Sequence, residues 1–269
     1  MPEGDVVWYT ARRLHQALAG RTLIRSDFRV PRLATADLSG DVVTEAVSRG
    51  KHLLVRTSGG MTVHTHLRME GSWRVRPAAE RVRDSHRIRL LLANEEWQAI
   101  GYQLGVVELI RTSEEPRVTG HLGPDLLGPD WDRDEAVRRL SAEPDRPIGE
   151  ALLDQRNLAG IGNVYKAEVL FLRGVNPWQP AGDVADLGAM AELARRLLEA
   201  NKDRIGQVTT GSWRRGEETW VYGRRGRPCR RCGTPIRSEE QQDRVTSWCP
   251  SCQPRTGPAG QVPGRPGSA

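Results

Sequence analysis

Lysine is nearly absent from this chain: of 40 Lys and Arg residues, only Lys51, Lys166 and Lys202 are lysines. No apolar run approaches the ~20 residues that a bilayer-spanning helix requires, so an α-helical membrane protein is excluded. The N-terminus lacks the basic-then-apolar pattern of a secretory leader, so a cytoplasmic protein is expected. No internal repeat is present. Cysteine is scarce as well. Four cysteines in a cytosolic chain point to metal ligation rather than to a disulfide framework.

What is there suits a globular protein. The 269 residues are enough for two domains, or for one domain with appendages, and 38% hydrophobic residues can build an adequate core. The formal net charge is +6. From Arg204 to Arg255 eleven arginines face five acidic residues, so the last fifth of the chain carries essentially all of that excess. A basic module on a near-neutral body is the electrostatic footprint of a nucleic-acid-binding protein.

The chain opens Met1-Pro2-Glu3-Gly4-Asp5. Removal of Met1, normal before a small second residue, would leave a free proline amine. An α-amine has a pKa of roughly 7.7–8, so a useful fraction is neutral at cell pH. A neutral secondary amine attacks an aldehyde-like carbon to give an iminium ion, with Glu3 placed for proton transfer. Val6, Val7, Leu14, Ala17 and Leu18 mark one face of a helix ending near Gly20, which would anchor this terminus. Most chains that begin this way have a frayed, inert start, so the stretch carries weight only with the rest of the sequence.

Eight strand-like segments follow, at 22–30, 41–47, 52–56, 61–67, 71–75, 87–92, 96–100 and 106–110. Short strands separated by Gly and Asn turns predict a β-sandwich or barrel rather than a parallel sheet. Composition changes around 121–129, where a domain boundary is expected. Helical patterns then run from Asp132 or Asp134 to Leu140, over Ile148 to Gln155, from Val164 to Arg173, and through Leu187 to Leu198. Residues from Arg255 on are rich in Pro, Gly and Ser and predict a disordered tail.

The strongest chemical signal is Cys229-x-x-Cys232 followed after sixteen residues by Cys249-x-x-Cys252. Two such pairs suit a tetrahedral zinc ion, and with no other cysteine or open position the site reads as structural. Residues 234–236 and 245–248 read as the arms of a β-hairpin with Arg244 near its tip. The turn Ala159-Gly-Ile-Gly-Asn163 between two helices could bring backbone N–H groups to a phosphate, although an ordinary tight turn has the same composition. Lys51 follows Gly50 at a strand start and is a candidate phosphate or proton-transfer group. His64 and His66 alternate on one strand face. Without a third ligand at suitable spacing they read as core or interface residues.

Together the Pro2-Glu3-Gly4 start, Arg49-Gly-Lys-His-Leu53, His66-Leu-Arg-Met-Glu-Gly71, His121-Leu-Gly-Pro-Asp125, Leu153-Asp-Gln155, Leu158-Ala-Gly-Ile-Gly-Asn-Val-Tyr165 and the cysteine pairs resemble the formamidopyrimidine-DNA glycosylase/endonuclease VIII family of base-excision repair enzymes, over nearly the whole chain. The resemblance implies an α+β fold: an N-terminal helix plus β-sandwich (1–128), a helix–two-turn–helix domain (129–212), a four-Cys zinc-finger hairpin (213–253) and the tail (254–269). DNA would lie across the cleft between the two main parts. It implies a bifunctional glycosylase and abasic-site lyase in which Pro2 attacks C1′ and Glu3 is the general acid/base. Lys51 and Arg244 would contact flanking phosphates and assist proton transfer, and Asn163 would hold a further phosphate. Arg68 and Met69 belong to the loop that fills the hole left by the flipped base, with Met69 as the apolar wedge. His121 stands where a DNA-contacting Arg is found in the best-known endonuclease VIII. One structural Zn2+, damaged DNA as partner, and a monomeric state complete the expectation.

Two departures from the family pattern matter. The purine-specific branch carries a second wedge, an Arg-Phe pair, where this chain reads Tyr102-Gln-Leu-Gly105. That absence points to the endonuclease VIII branch and to oxidised pyrimidines. Position 6 holds Val where the family usually has Glu. The alternatives are an 8-oxoguanine/formamidopyrimidine glycosylase, a non-catalytic or weakly active damaged-DNA-binding protein of the same fold, and a zinc-stapled interaction protein without nucleic acid. Retention of Pro2, Glu3 and Lys51 argues against a non-catalytic protein, and the basic C-terminal module against the last.

Overall fold

A computed structural model describes residues 2–255. The chain forms two compact units. The first comprises Met1–Asp132, Leu158–Ile161 and Leu198–Gly206, and the second Arg133–Asn157, Gly162–Leu197 and the residues from Gln207 on. The tail expected beyond Arg255 lies outside the described residues.

The first unit begins with helix α1 (Gly4–Leu18), whose Val7, Ala11, Leu14, Ala17 and Leu18 recur at helical spacing and are buried. Ala19 turns extended and Gly20 takes φ 75°, which stops the helix. Eight strands follow: β1 (Arg25–Phe28), β2 (Val43–Arg49), β3 (His52–Thr57), β4 (Met61–His66), β5 (Ser72–Pro77), β6 (Ile88–Ala93), β7 (Trp97–Tyr102) and β8 (Val106–Arg111). They make two four-stranded sheets, ordered β1-β6-β7-β5 and β2-β3-β4-β8, with every pairing antiparallel. The expected sandwich is thus present. Leu53, Val55 and Val63 from one sheet, Leu90, Leu92 and Ala99 from the other, and the apolar face of α1 form one continuous core. Ile88, Leu91, Ala93 and Ile100 form a second, smaller cluster. Val6 packs partly buried against the main core, so a hydrocarbon stands where the family pattern has a carboxylate. A short helix, α2 (Pro116–Thr119), follows the last strand.

The second unit contains α3 (Arg133–Leu140), α4 (Ile148–Leu153), α5 (Asn163–Arg173), the start of α6 (Leu187–Asn201) and the hairpin β9 (Arg237–Gln241) and β10 (Arg244–Trp248). Helix α4 stops before Gln155 because Asp154 adopts an extended backbone. Helix α5 is buried along its length to Phe171, and Gly174 ends it at φ 69°, with the Val175 N–H on the Leu170 carbonyl and the Gly174 N–H on that of Phe171. The expected first arm of the hairpin is displaced. Residues 234–236 fold around the cysteine knuckle, with the Cys229 N–H on Thr234 O and the Ile236 N–H on Arg227 O, and Pro235 has no N–H to give a ladder. The arm is instead Arg237–Gln241, joined to β10 by Gln242 (φ 46°) and Asp243 (φ 57°), both left-handed as a two-residue hairpin turn requires. Among the described residues no helix is long and apolar enough to cross a membrane.

Candidate active site and metal centre

In the first unit, sequence motifs far apart in the chain meet on one short backbone segment, Ala159-Gly160. The Gly4 N–H donates to Gly160 O at 2.8 Å. A Cβ on Gly4 would stand 3.0 Å from Gly160 Cα and 3.1 Å from its carbonyl oxygen, so glycine is what lets the start of α1 approach. Gly50, at φ 56°, presents the same backbone from another side, with Ala159 Cβ 3.1 Å from its own missing Cβ. Asp125 ties the group together: Oδ2 accepts from the Gly50 N–H at 2.7 Å and Oδ1 from the Leu127 N–H at 3.1 Å. Its backbone bridges Ala159, and the Leu126 N–H reaches Ala159 O at 3.2 Å. Burial pushes the Asp125 carboxyl up, against the pull of the Gly50 and Leu127 N–H groups and of Arg49. Arg49 in turn holds Asp130 at 2.6 Å and Gly123 O at 3.2 Å. Four motifs that read separately in the sequence are therefore one hydrogen-bonded knot.

That knot positions the candidate chemistry. Glu3, the N-cap residue of α1, is fully buried, and Pro2 precedes it half-buried at the positive end of the helix. Lys51 is half-buried in the turn that opens β3. Arg68, at φ 56°, and the exposed Met69 sit on the loop after β4. That loop is braced from 103–105: Gln103 Nε2 donates to Glu70 Oε2 at 2.9 Å, and a Cβ on Gly105 would meet Arg68 Cγ at 2.1 Å. Leu104 is buried, so Met69 is the one large apolar side chain exposed on these two loops.

His64 and His66 are not isolated. His52 Nδ1 lies 2.9 Å from His64 Nε2, and the His52 ring centroid is 5.2 Å from that of His66 and 6.1 Å from that of exposed His121. The sequence reading missed this cluster because it considered spacing within one strand, whereas β3 pairs with β4 so that His52 faces His66.

The second unit carries Asn163, Arg244 and the cysteines. Asn163 opens α5 and its Nδ2 donates to Val245 O at 2.8 Å, while its buried Oδ1 has no hydrogen-bond partner. Arg244 is exposed at the start of β10. Two anchors that sequence reasoning passed over hold this region. Lys166 is fully buried one turn along α5 from Asn163, with Nζ 2.5 Å from Thr246 Oγ1. Glu168 is fully buried and accepts from the backbone N–H groups of Trp220, Val221 and Tyr222 at 2.8–2.9 Å and from the Thr209 hydroxyl. The available signal was a pair of charged residues inside an otherwise apolar helix, since buried charges are rarely without a structural or chemical task.

The cysteine sulfurs fit a metal. Cys229 and Cys252 Sγ lie 3.9 Å apart, and Cys232 Sγ is 3.5 Å from both Cys249 and Cys252 Sγ. Four sulfurs at about 2.3 Å from a tetrahedral zinc would stand about 3.8 Å apart. All four ligand atoms lie within 4.8 Å of one another. A hydrogen bond from Thr234 draws the Cys232 thiol down to about 6, whereas burial pushes Cys249 and Cys252 up. A dication resolves this conflict by stabilising all four thiolates.

Comparison with known proteins agrees with this geometry. Residues 1–101 match the formamidopyrimidine-DNA glycosylase N-terminal domain, 122–206 the helix–two-turn–helix domain of the same enzymes, and 226–255 a zinc finger found in formamidopyrimidine-DNA glycosylase and isoleucyl-tRNA synthetase. The chain is 57% identical, over 99% of its length and 98% of the relative's, to a Streptomyces coelicolor protein named "Probable endonuclease 8 2". It is 49% identical, over 94% of its length and 99% of the relative's, to the DNA-(apurinic or apyrimidinic site) lyase Nei2 of Mycolicibacterium smegmatis. Among solved structures, the formamidopyrimidine-DNA glycosylase of Lactococcus lactis, crystallised with DNA containing an abasic site, matches 94% of this chain and all of its own with a TM-score of 0.80 at 25% identity. With all three family domains in order and a cysteine cluster of the matching kind, this chain belongs to the formamidopyrimidine-DNA glycosylase/endonuclease VIII family.

Proposed function

We propose that this family member is a base-excision repair glycosylase and abasic-site lyase that works through Pro2 and prefers oxidised pyrimidines. The observation that carries the reading is the convergence of the Pro2-Glu3-Gly4 terminus and the Gly50-Lys51 turn on the Ala159-Gly160 backbone. Pro2, the buried carboxyl of Glu3 and Lys51 all adjoin that backbone segment, and this supports their acting together.

The chemistry follows from those groups. With Met1 removed, the Pro2 nitrogen attacks C1′ of the damaged nucleotide. The N–C1′ bond forms while the C1′–base bond breaks, and the base leaves with that electron pair and takes up a proton. Opening of the C1′–O4′ bond then gives an iminium ion, and the acidified C2′ proton is lost as the 3′-phosphate departs. A second elimination expels the 5′-phosphate, and water frees the amine. Glu3 moves protons during ring opening. Lys51 and Arg244 hold phosphates, with Asn163, and offset the charge on the departing groups. The four cysteines hold a zinc ion that fixes the fold of the hairpin carrying Arg244.

Lesion choice rests on the braced loops. Gln103 is tied to Glu70 and Leu104 is buried, so residues 102–105 offer neither a guanidinium to read the base opposite the lesion nor a second wedge. Selectivity then depends on extrusion, and oxidised pyrimidines, which have lost ring aromaticity and stack poorly, cost less to flip.

The test is borohydride trapping on an abasic-site oligonucleotide, followed by single-turnover cleavage of duplexes carrying defined lesions. Pro2→Gly should lower trapping sharply, and an uncleaved N-terminal tag should abolish it. Full trapping by tagged protein would place the nucleophile elsewhere. Faster excision of 8-oxoguanine opposite cytosine than of 5-hydroxyuracil or thymine glycol would overturn the lesion class and leave the Pro2 chemistry standing.

A further inference from the structure

Four of the chain's six histidines gather in the first unit, and their contacts have a direction. The sheet register puts His64 opposite Glu108 and His52 opposite His66. Glu108 Oε2 lies 2.9 Å from His64 Nδ1, so that nitrogen carries the proton. In the neutral ring Nε2 of His64 is then the acceptor, and His52 Nδ1, 2.9 Å away, is the donor. His52 is left with an unprotonated Nε2. At the far end the Arg68 backbone N–H donates to His66 Nδ1 at 3.0 Å, so neutral His66 is protonated on Nε2. His52 meets His66 edge-on, with ring centroids 5.2 Å apart, so the hydrogen-bonded run from Glu108 ends at His52 and the Arg68 N–H fixes the His66 tautomer directly.

The contact between His66 and Arg68 matters because Arg68 is the one residue of its loop in the left-handed region, at φ 56°. A non-glycine residue there needs outside support. The His66 ring supplies it on the N–H side, while the Gly105 N–H on His66 O at 3.0 Å and the Gly71 N–H on Leu67 O at 2.9 Å close the loop around it.

We propose that His66, as the acceptor for the Arg68 N–H, is the positioning residue that presents the Arg68–Met69 wedge to duplex DNA. This rests on the reading of Met69 as the wedge. The environment favours the neutral acceptor form. Burial, then the charges of Arg68 and Lys51 and the neighbouring His64, hold His66 down to about 4, and burial with His64, His66, His121 and Arg68 holds His52 down to about 3. A metal is a poorer explanation. The 2.9 Å separation of His52 Nδ1 and His64 Nε2 is a hydrogen bond, shorter than the about 3.3 Å between two nitrogens on one tetrahedral zinc. Among the described residues only the four cysteines converge as metal ligands do.

The experiment compares wild type, His66→Leu and His66→Asn on two substrates: a single-stranded abasic oligonucleotide, which needs no wedge, and a 5-hydroxyuracil duplex, which does. An Asn side chain can accept the N–H two residues on, as in an Asx turn, so it keeps the support without the ring. His66→Leu should cleave the single strand at the wild-type rate and lose about tenfold on the duplex, the scale of one lost hydrogen bond. His66→Asn should recover most of that loss. In long-range 15N spectra of the wild type, His66 should appear as the Nε2–H tautomer and His64 as Nδ1–H. Equal loss on both substrates, no loss on the duplex, or an Nδ1–H tautomer at His66 would overturn the proposal. If the wild type itself cleaves neither substrate, the proposed function fails, and the tautomer of His66 still decides whether it accepts from the Arg68 N–H.

Discussion

The two units solve the problem of stability with different materials. The first is held by hydrocarbon: α1 and both sheets share one core in which Leu14, Leu18, Leu53, Leu90 and Leu92 are fully buried. The zinc-finger end of the second has a far smaller cluster, in which Val221 and Ile236 pack with Ala167, Phe171 and two cysteines. It relies instead on buried polar anchors from α5, namely Asn163, Lys166 and Glu168, and on the cysteine site. The difference teaches that the terminus proposed to be catalytic and the hairpin bearing Arg244 should fail under different insults. A core of this size tolerates loss of a charge, whereas a metal-stapled hairpin does not tolerate loss of its metal.

Zinc removal should give the largest effect, since a structural zinc contributes roughly 10–16 kcal/mol to the fold it holds. Chelation, or Cys249→Ser, should abolish hydrogen-exchange protection in β9 and β10 and cost DNA binding, while β3 and β4 keep theirs. Zinc-free protein with a protected hairpin would remove the contrast between the units.

Leu14→Ala attacks the other side of the comparison. Truncating a fully buried leucine in a continuous core should cost about 2–5 kcal/mol. Thermal unfolding of the first unit should shift down while zinc content stays at one ion per chain. Coincident loss of zinc would show that the two parts unfold together.

Glu168→Gln is smaller still. The carboxylate accepts three backbone N–H groups and a hydroxyl, and an amide can replace only part of that. A cost of about 1–3 kcal/mol is expected, read as faster amide exchange confined to residues 220–222. Unchanged exchange there would mean that the apolar cluster alone holds the segment.

How much of this could be read from the chain follows the same division. Strands β1 to β8 were legible because alternation and turn residues are local signals, and the cysteine pairs because ligand spacing is local too. The knot on Ala159-Gly160 was not. Its motifs are distant in sequence, and only Gly4, Gly50 and Asp125, each at a close backbone approach, reveal why those residues stand there. Lys166 and Glu168 were passed over because solvated charges are the common case. Burial, which decides their role, is a property of the packed helix. The histidine cluster escaped for a related reason, since cross-strand register is set by pairing and not by spacing within one strand.

The smallest effect concerns the proposed phosphate contacts, one in each unit. Lys51 belongs to the first and Arg244 to the second. If each neutralises one phosphate, Lys51→Ala and Arg244→Ala should each flatten the dependence of log affinity on log salt by about 0.9, and the double variant by about twice that. The effect of Arg244 depends on a hairpin that zinc holds, whereas that of Lys51 depends on the glycine turn beside β3. Zinc-depleted protein should therefore already bind with the flatter slope, and adding Arg244→Ala to it should change nothing. Lys51→Ala should flatten the slope equally with or without zinc. An unchanged slope for both single variants would place neither residue on a phosphate. A slope that Arg244→Ala still flattens after zinc removal would show that the hairpin keeps its place without the metal.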